Sequence, residues 1–191
     1  MELTDQEIIE SYIEGNKESL NILVNKYLSH IYNFVKRLYN NESDATDITQ
    51  EVFIKVWKNI RKYNPNQNFK TWLFTIARNT TVDWMRKKKV YTFSDLESPD
   101  DDESFGDKLI DSEPLPEAIF TQKELKTNLE KLLIVLHPDQ KTVILLHISE
   151  DMTFDEISKV LKKPLNTIKS HYRRGIEKLR KNIVNAPNLI D

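Results

Sequence analysis

Residues 153 to 182 run Thr-Phe-Asp-Glu-Ile-Ser-Lys-Val-Leu-Lys-Lys-Pro-Leu-Asn-Thr-Ile-Lys-Ser-His-Tyr-Arg-Arg-Gly-Ile-Glu-Lys-Leu-Arg-Lys-Asn, a pattern of two helices around a brief turn. Thr153 and Glu156 have capping-box spacing and open a short helix expected to end near Lys162. Lys163-Pro164-Leu165-Asn166 breaks it, and a last helix is expected from about Thr167 to Asn182. On that helix Ile168, Tyr172, Ile176 and Leu179 fall within about 80° of arc, while Ser170, Arg174, Glu177 and Lys181 point away from them. This is a helix-turn-helix candidate, with one face of its last helix expected to pack and the other left to solvent. Thr167, Lys169, Ser170, Arg173 and Arg174 gather in the first two turns, where such a helix presents side chains to base edges and phosphates. A surface helix that is merely basic is the plainer alternative.

The same periodicity extends through the rest of the chain, where glycine is almost absent. A first helix starts at Thr4, capped with Glu7, and stops at Gly15-Asn16. A second, from about Lys17 to Tyr39, carries Leu20, Leu23, Val24, Tyr27, Ile31, Phe34, Val35 and Leu38 at spacings of three and four. The third is expected to begin with Ser43 as N-cap, to hold Asp44 and Asp47 near its positive end, and to reach about Ile60. Tyr63-Asn64-Pro65-Asn66-Gln67-Asn68 is a loop, and a fourth helix spans Phe69 to about Lys88. Later, Pro116 suits a first helical position for a helix to about Val135, and Pro138 starts another through Ser149. The fold class is therefore all-α.

Among 191 residues, 28 Lys and Arg face 30 Asp and Glu, a net charge of −2. That balance hides three segments. Residues 1–91 net +3, residues 92–117 net −9 and residues 118–191 net +4. The acidic segment holds Pro99, Pro114 and Pro116 and has no apolar period, so it is expected to be a flexible linker between two small helical domains, 1–91 and 118–191. Basic blocks around an acidic connector point to a polyanion-binding protein. The chain has no cysteine, which excludes disulfide frameworks, thiolate zinc sites and cysteine nucleophiles. Met1 to Asp5 lack a signal-peptide pattern, and no apolar run approaches a membrane span, so a cytoplasmic location without membrane insertion is expected.

Two further constellations stand out. Tyr63, Phe69, Trp72, Phe74 and Trp84 interleave with Lys62, Lys70, Arg78 and Arg86 ahead of Lys87-Lys88-Lys89. Unstacked bases need flat apolar partners and a single strand needs cations along its backbone, and this segment offers both. Phe69, Leu73, Ile76 and Trp84 share a stripe and fit a core as well; Tyr63 and Asn64 to Asn68 are the better ligand contacts. In the third helix, Ala45, Ile48, Val52 and Val56 form one stripe, but Phe53, Ile54 and Trp57 lie outside it beside Asp44, Asp47 and Glu51. Such surplus apolar surface is either sandwiched between helices or a docking face for a basic partner. His30, His137, His147 and His171 have no ligand spacing, and neither a glycine-rich phosphate loop nor a nucleophile elbow occurs, so no enzyme activity, metal or cofactor is expected.

Together these segments resemble a known family. Asp44-Ala-Thr-Asp-Ile-Thr-Gln-Glu-Val-Phe-Ile-Lys-Val-Trp57, with Phe69-Lys-Thr-Trp-Leu-Phe-Thr-Ile-Ala-Arg-Asn79 and Val82-Asp-Trp-Met-Arg86, resembles region 2 of bacterial extracytoplasmic function (ECF) sigma factors. Thr153 to Leu161 with Thr167-Ile-Lys-Ser170 and Arg174 resembles their region 4. The resemblance implies that Asp47, Gln50, Glu51, Ile54 and Trp57 dock on the β′ clamp helices of core RNA polymerase, with the β flap a further contact. It implies that Tyr63, Asn64, Asn68, Lys70, Thr71, Arg78, Asn79 and Arg86 capture the non-template strand of the promoter minus 10 element. It implies that Thr167, Lys169, Ser170, Arg173 and Arg174 read the minus 35 duplex. An anti-sigma factor is a further expected partner, and the acidic linker either threads the polymerase cleft, as the resemblance implies, or is simply a solvated spacer. His171 stands where many relatives have Arg, and the turn lacks the glycine often found there. Two rivals remain at this point: an autonomous helix-turn-helix regulator that shifts duplex DNA unaided, and an adaptor that never touches DNA.

Overall fold

A computed structural model describes residues 3–94 and 132–185. The described elements are helices α1 (Asp5–Ile13), α2 (Ser19–Tyr39), α3 (Glu42–Asn59), a 3-10 turn (Ile60–Lys62), α4 (Phe69–Ser94), α5 (Pro138–Ile148), α6 (Phe154–Leu161) and α7 (Leu165–Asn185). Among the described residues there is no strand. Most of the helix expected from Pro116 and most of the acidic linker lie outside the described residues.

Helix ends follow local chemistry. Thr4 and Glu7 close the foreseen capping box, with the Thr4 amide donating to Glu7 Oε2 at 2.7 Å. Asn40 takes a left-handed conformation (φ 57°) that ends α2. The N-cap of α3 is Asn41, not Ser43: Asn41 Oδ1 accepts from both the Ser43 amide at 3.0 Å and its hydroxyl at 2.7 Å, which places Ser43 inside the helix. Helix α4 runs past the expected Lys88 to Ser94 and so carries the first domain's last helix across the anticipated boundary at 91. His137 caps α5 by accepting from the Asp139 amide at 3.3 Å.

The helix-turn-helix forms without glycine because Lys162 itself adopts the left-handed conformation (φ 53°), its amide donating to Ser158 O. Pro164 O then receives the amides of Thr167 at 2.9 Å and Ile168 at 3.2 Å, so α7 begins at Leu165, two residues before the expected start. Gly175 sits in mid-helix where α7 meets α5; a Cβ there would lie 2.7 Å from Ile144 Cδ1.

The predicted stripes are the core. Leu23, Tyr27, Ile31, Phe34, Val35 and Leu38 of α2 face Ala45, Ile48, Val52 and Val56 of α3 and Phe69, Leu73, Phe74 and Ala77 of α4, all buried. In the second block, Val143 and Leu146 of α5 pack with Ile157 and Val160 of α6 and Ile168 of α7. The blocks also meet each other, α4 against α6 and α2 against α5.

Candidate nucleic-acid interface

Helix α3 divides its surface cleanly. Its Ala45, Ile48, Val52 and Val56 stripe is buried, which turns Asp47 and Gln50 outward and leaves Ile54 48% and Trp57 57% exposed. An indole half in water is costly to keep without a role, and its one polar atom is already used: Nε1 donates to Tyr12 OH at 2.9 Å, which fixes the ring against α1. Glu51 is less available. It pairs with Lys55 at 2.7 Å and also accepts from Trp84 Nε1, and these partners, Lys55 foremost, hold its carboxyl below the usual range.

The loop before α4 differs from expectation at Tyr63. Its side chain is 8% exposed, its ring lies 5.6 Å from Phe69 and 5.3 Å from Trp72, and its hydroxyl donates to Gln67 O. The ring is core that shapes the loop, because an aromatic next to the Phe69–Trp72 end of α4 gains more by burial than by solvent exposure. Asn64 to Asn68 form the exposed rim, with Asn64 Oδ1 accepting from the Asn66 amide at 3.0 Å. Asn68 Oδ1 accepts from the Thr71 amide at 3.2 Å and so caps α4, while its Nδ2 donates to Glu156 Oε1 at 3.3 Å.

Along α4 the expected strand contacts fall into two groups. Asn79 and Arg86 are exposed, and with Arg78, Val82 and Asp83 they line an open cleft of about 340 Å³. Thr71 is buried. Lys70 and Arg78 are turned to the second block: Lys70 donates to the Glu150 carbonyl and lies 3.5 Å from its carboxylate, and Arg78 pairs with Asp139 at 2.9 Å.

On α7, Lys169, Arg173 and Arg174 are exposed, Thr167 and Ser170 half-buried, and Ile168 fully buried. His171 turns inward. Its Nε2 is buried without a hydrogen-bond partner, and burial, then Lys163, pushes the imidazole pKa down. Sequence reasoning did not single out Asp139 and Glu150. No motif marks them; their partners lie 61, 80 and 120 residues away.

Exposed cations on the helix-turn-helix and on α4 thus lie apart from the exposed apolar and acidic side chains of α3, in an all-helical fold of two blocks. The sigma-70 region 2 profile matches residues 23–90 and the sigma-70 region 4 profile matches residues 126–179. The ECF RNA polymerase sigma factor SigW of Bacillus subtilis is 31% identical over 184 residues, 96% of this chain and 98% of the relative. Two solved structures share the fold: CnrH in complex with the cytosolic domain of CnrY (TM-score 0.70, 18% identity, 95% of this chain and 97% of that one) and RpoE in complex with the anti-sigma factor NepR from Bartonella quintana (TM-score 0.65, 21% identity, 86% and 96%). The chain belongs to the ECF group of RNA polymerase sigma factors, which are transcription initiation factors and not enzymes in the ordinary sense. Among the described residues no helix is long and apolar enough to cross a membrane.

Proposed function

We propose that this sigma factor docks on the β′ clamp helices of core RNA polymerase through α3 and divides promoter recognition between α7 and α4. The observation that carries this reading is the two-sidedness of α3: a fully buried stripe opposite exposed Asp47, Gln50, Ile54 and Trp57. An anchored indole amid acidic and amide groups fits a partner helix that is basic with apolar gaps. Lys169, Arg173 and Arg174, with Thr167 and Ser170 beside them, are the readers of the minus 35 duplex, where the first turns of α7 enter the major groove. Asn79, Arg78 and Arg86 around the α4 cleft, with Lys70, Asn68 and Asn64 towards the loop, are the contacts for the unstacked minus 10 strand. Unstacking costs a few kcal/mol per base, offset by stacking and backbone contacts, so melting is sequence-selective. The setting is the cytoplasm, and an anti-sigma factor covering these faces is the regulatory partner of the scheme.

The test is reconstitution. Core polymerase is expected to co-purify with the chain, and the holoenzyme to give run-off transcripts from promoters selected out of a random library. Trp57→Ala is expected to weaken core binding by about tenfold or more, the loss typical of a central aromatic anchor. A chain that fails to bind core, or that shifts duplex DNA equally well alone, refutes the reading.

A further inference from the structure

Helix α1 is pinned to α2 from end to end. At its start Asp5 Oδ1 accepts from Lys26 Nζ at 2.6 Å and Asp5 Oδ2 from the Tyr27 hydroxyl at 2.5 Å. In its middle Ile8 and Ile9 are buried. At its end Ser11 Oγ and Ser19 Oγ share a hydrogen bond of 2.9 Å, and the amides of Gly15 and Asn16 turn back onto the carbonyls of Tyr12 and Ser11, each at 3.1 Å. Gly15 makes that reversal at a φ of 117°, a conformation open to glycine and strained for other residues. The last turn of α1 is therefore fixed in place. It carries the Tyr12 ring, half-buried against the core, up to the last turns of α3.

The group that Tyr12 meets there is Trp57, whose Nε1 donates to the Tyr12 hydroxyl at 2.9 Å. An indole is a large apolar ring with a single polar atom, and when a partner covers the ring its N–H loses water and needs an acceptor. Here the acceptor comes from the chain itself, 45 residues away on another helix. Trp84 meets the same need through Glu51, but its ring is half-buried within the fold; at Trp57 the satisfied N–H belongs to a ring left 57% exposed. A hydrogen bond in reach of water adds little to folding, because water competes for both atoms. With α1 already held to α2 at three points, the larger effect of this bond falls on whatever binds over Trp57.

We propose that Tyr12 is a positioning residue for core polymerase binding. It sets the Trp57 indole in one orientation before docking and stays with it as the N–H acceptor in the complex, so the polymerase meets an oriented ring that needs only apolar cover. The docking surface thereby extends from α3 onto the last turn of α1. The proposal rests on the reading of α3 as the core-docking helix. Ordering the side chain in advance is worth about two- to tenfold in affinity. An indole N–H buried in the complex without an acceptor costs about five- to a hundredfold.

The test is a double-mutant cycle on core affinity, measured with the full-length chain by competition against a fluorescently labelled wild-type chain for core polymerase. Tyr12→Phe removes only the hydroxyl and keeps the ring that packs on the core; it is expected to weaken core binding by about tenfold. Trp57→Phe removes the N–H and keeps an aromatic ring. In that background Tyr12→Phe is expected to change affinity by less than about twofold, because no N–H is left to satisfy. The chain has three tryptophans, so the indole region of a nitrogen–proton correlation spectrum resolves them, and the Trp57 signal is the one lost in Trp57→Phe. That signal is expected to move in Tyr12→Phe, and circular dichroism melts to show both single variants folded. A tenfold loss from Tyr12→Phe that persists in the Trp57→Phe background overturns the proposal, since Tyr12 then acts other than through the indole. So does an unmoved Trp57 signal, or a Tyr12→Phe chain that binds core as wild type while Trp57→Ala is weakened; the docking reading survives these results. If Trp57→Ala also binds core as wild type, the docking reading fails and takes the role of Tyr12 with it.

Discussion

Replacing Gly175 by alanine sets two opposed terms against each other, and the packing of α7 on α5 decides the sign. Alanine is favoured over glycine in a helix interior by about 1 kcal/mol. Its Cβ, however, would sit 2.7 Å from Ile144 Cδ1 and 3.5 Å from Gln140 Cβ. The first distance is roughly 1 Å inside carbon–carbon contact at about 3.5–4.0 Å. Ile144 is 5% exposed, so its terminal methyl has little room to swing, and overpacking of this kind costs about 1–3 kcal/mol. Gly175→Ala alone is therefore expected to destabilise by about 0–2 kcal/mol, the difference of these terms. Ile144→Val removes the offending methyl and alone costs about 0.5–1.5 kcal/mol. In the double variant the clash is gone, the new methyl fills the vacated space and the helix-propensity gain remains, so the pair is expected to couple favourably by about 1–2 kcal/mol and to match or exceed wild type. Urea unfolding of the four proteins, followed by far-ultraviolet circular dichroism at one pH and temperature, reads the coupling directly. If the two single effects add to within about 0.5 kcal/mol, the close approach of α7 and α5 at Gly175 does not exist in solution.

Arg174→Ala is expected to weaken minus 35 duplex binding by holoenzyme by about 1–3 kcal/mol while leaving core binding intact, and Asp47→Lys to do the reverse; competition binding to core and footprinting on a selected promoter separate the two. Thr153→Ala removes the hydroxyl that accepts from the Glu156 amide and is expected to cost about 1 kcal/mol in thermal unfolding, felt in the helix-turn-helix block. Stability against pH is expected to respond with opposite signs at the two buried carboxylates. Burial raises the Asp139 pKa, but Lys163 and Arg78 outweigh it and hold it below the usual range, so its contribution is present above the unfolded value near pH 4 and fades as pH falls through the folded one. Burial wins at Glu150 over His30 and Lys70 and raises its pKa, so its contribution is full at low pH and is lost as pH rises through the folded value. Urea midpoints between about pH 3 and 7 are expected to show Asp139→Asn most destabilising at the upper end and Glu150→Gln gaining on wild type as pH rises.

The helical stripes were legible because burial repeats: Leu23, Tyr27, Ile31, Phe34 and Leu38 announce α2, and Ala45, Ile48, Val52 and Val56 announce α3, whereas the exposure of Trp57 outside that stripe was one of two readings the sequence left open. Capping boxes at Thr4 and Thr153 were legible because both partners lie within one turn. Ends set by competing caps were not. Asn41 and Ser43 are both good N-caps, and only the hydrogen bonds of Asn41 Oδ1 choose between them. Tyr63 was assigned to the surface because a single aromatic in a polar loop has no period to reveal its burial. The start of α7 was misplaced because a proline reads as a break, whereas here its carbonyl begins the helix. The pairing of Arg78 with Asp139 and of Lys70 with Glu150 left no local trace, since it arises only when distant helices are brought together.

A lysine held in a left-handed backbone has few neighbouring conformations to relax into, unlike the glycine that often occupies such a corner. With Lys163 tethered to Asp139 on α5, the elbow between α6 and α7 is also braced from outside. On the function proposed above, any swing of this block on the polymerase carries α7 as a stiff passenger, and tolerance for promoters of unequal spacer length has to come from outside the helix-turn-helix.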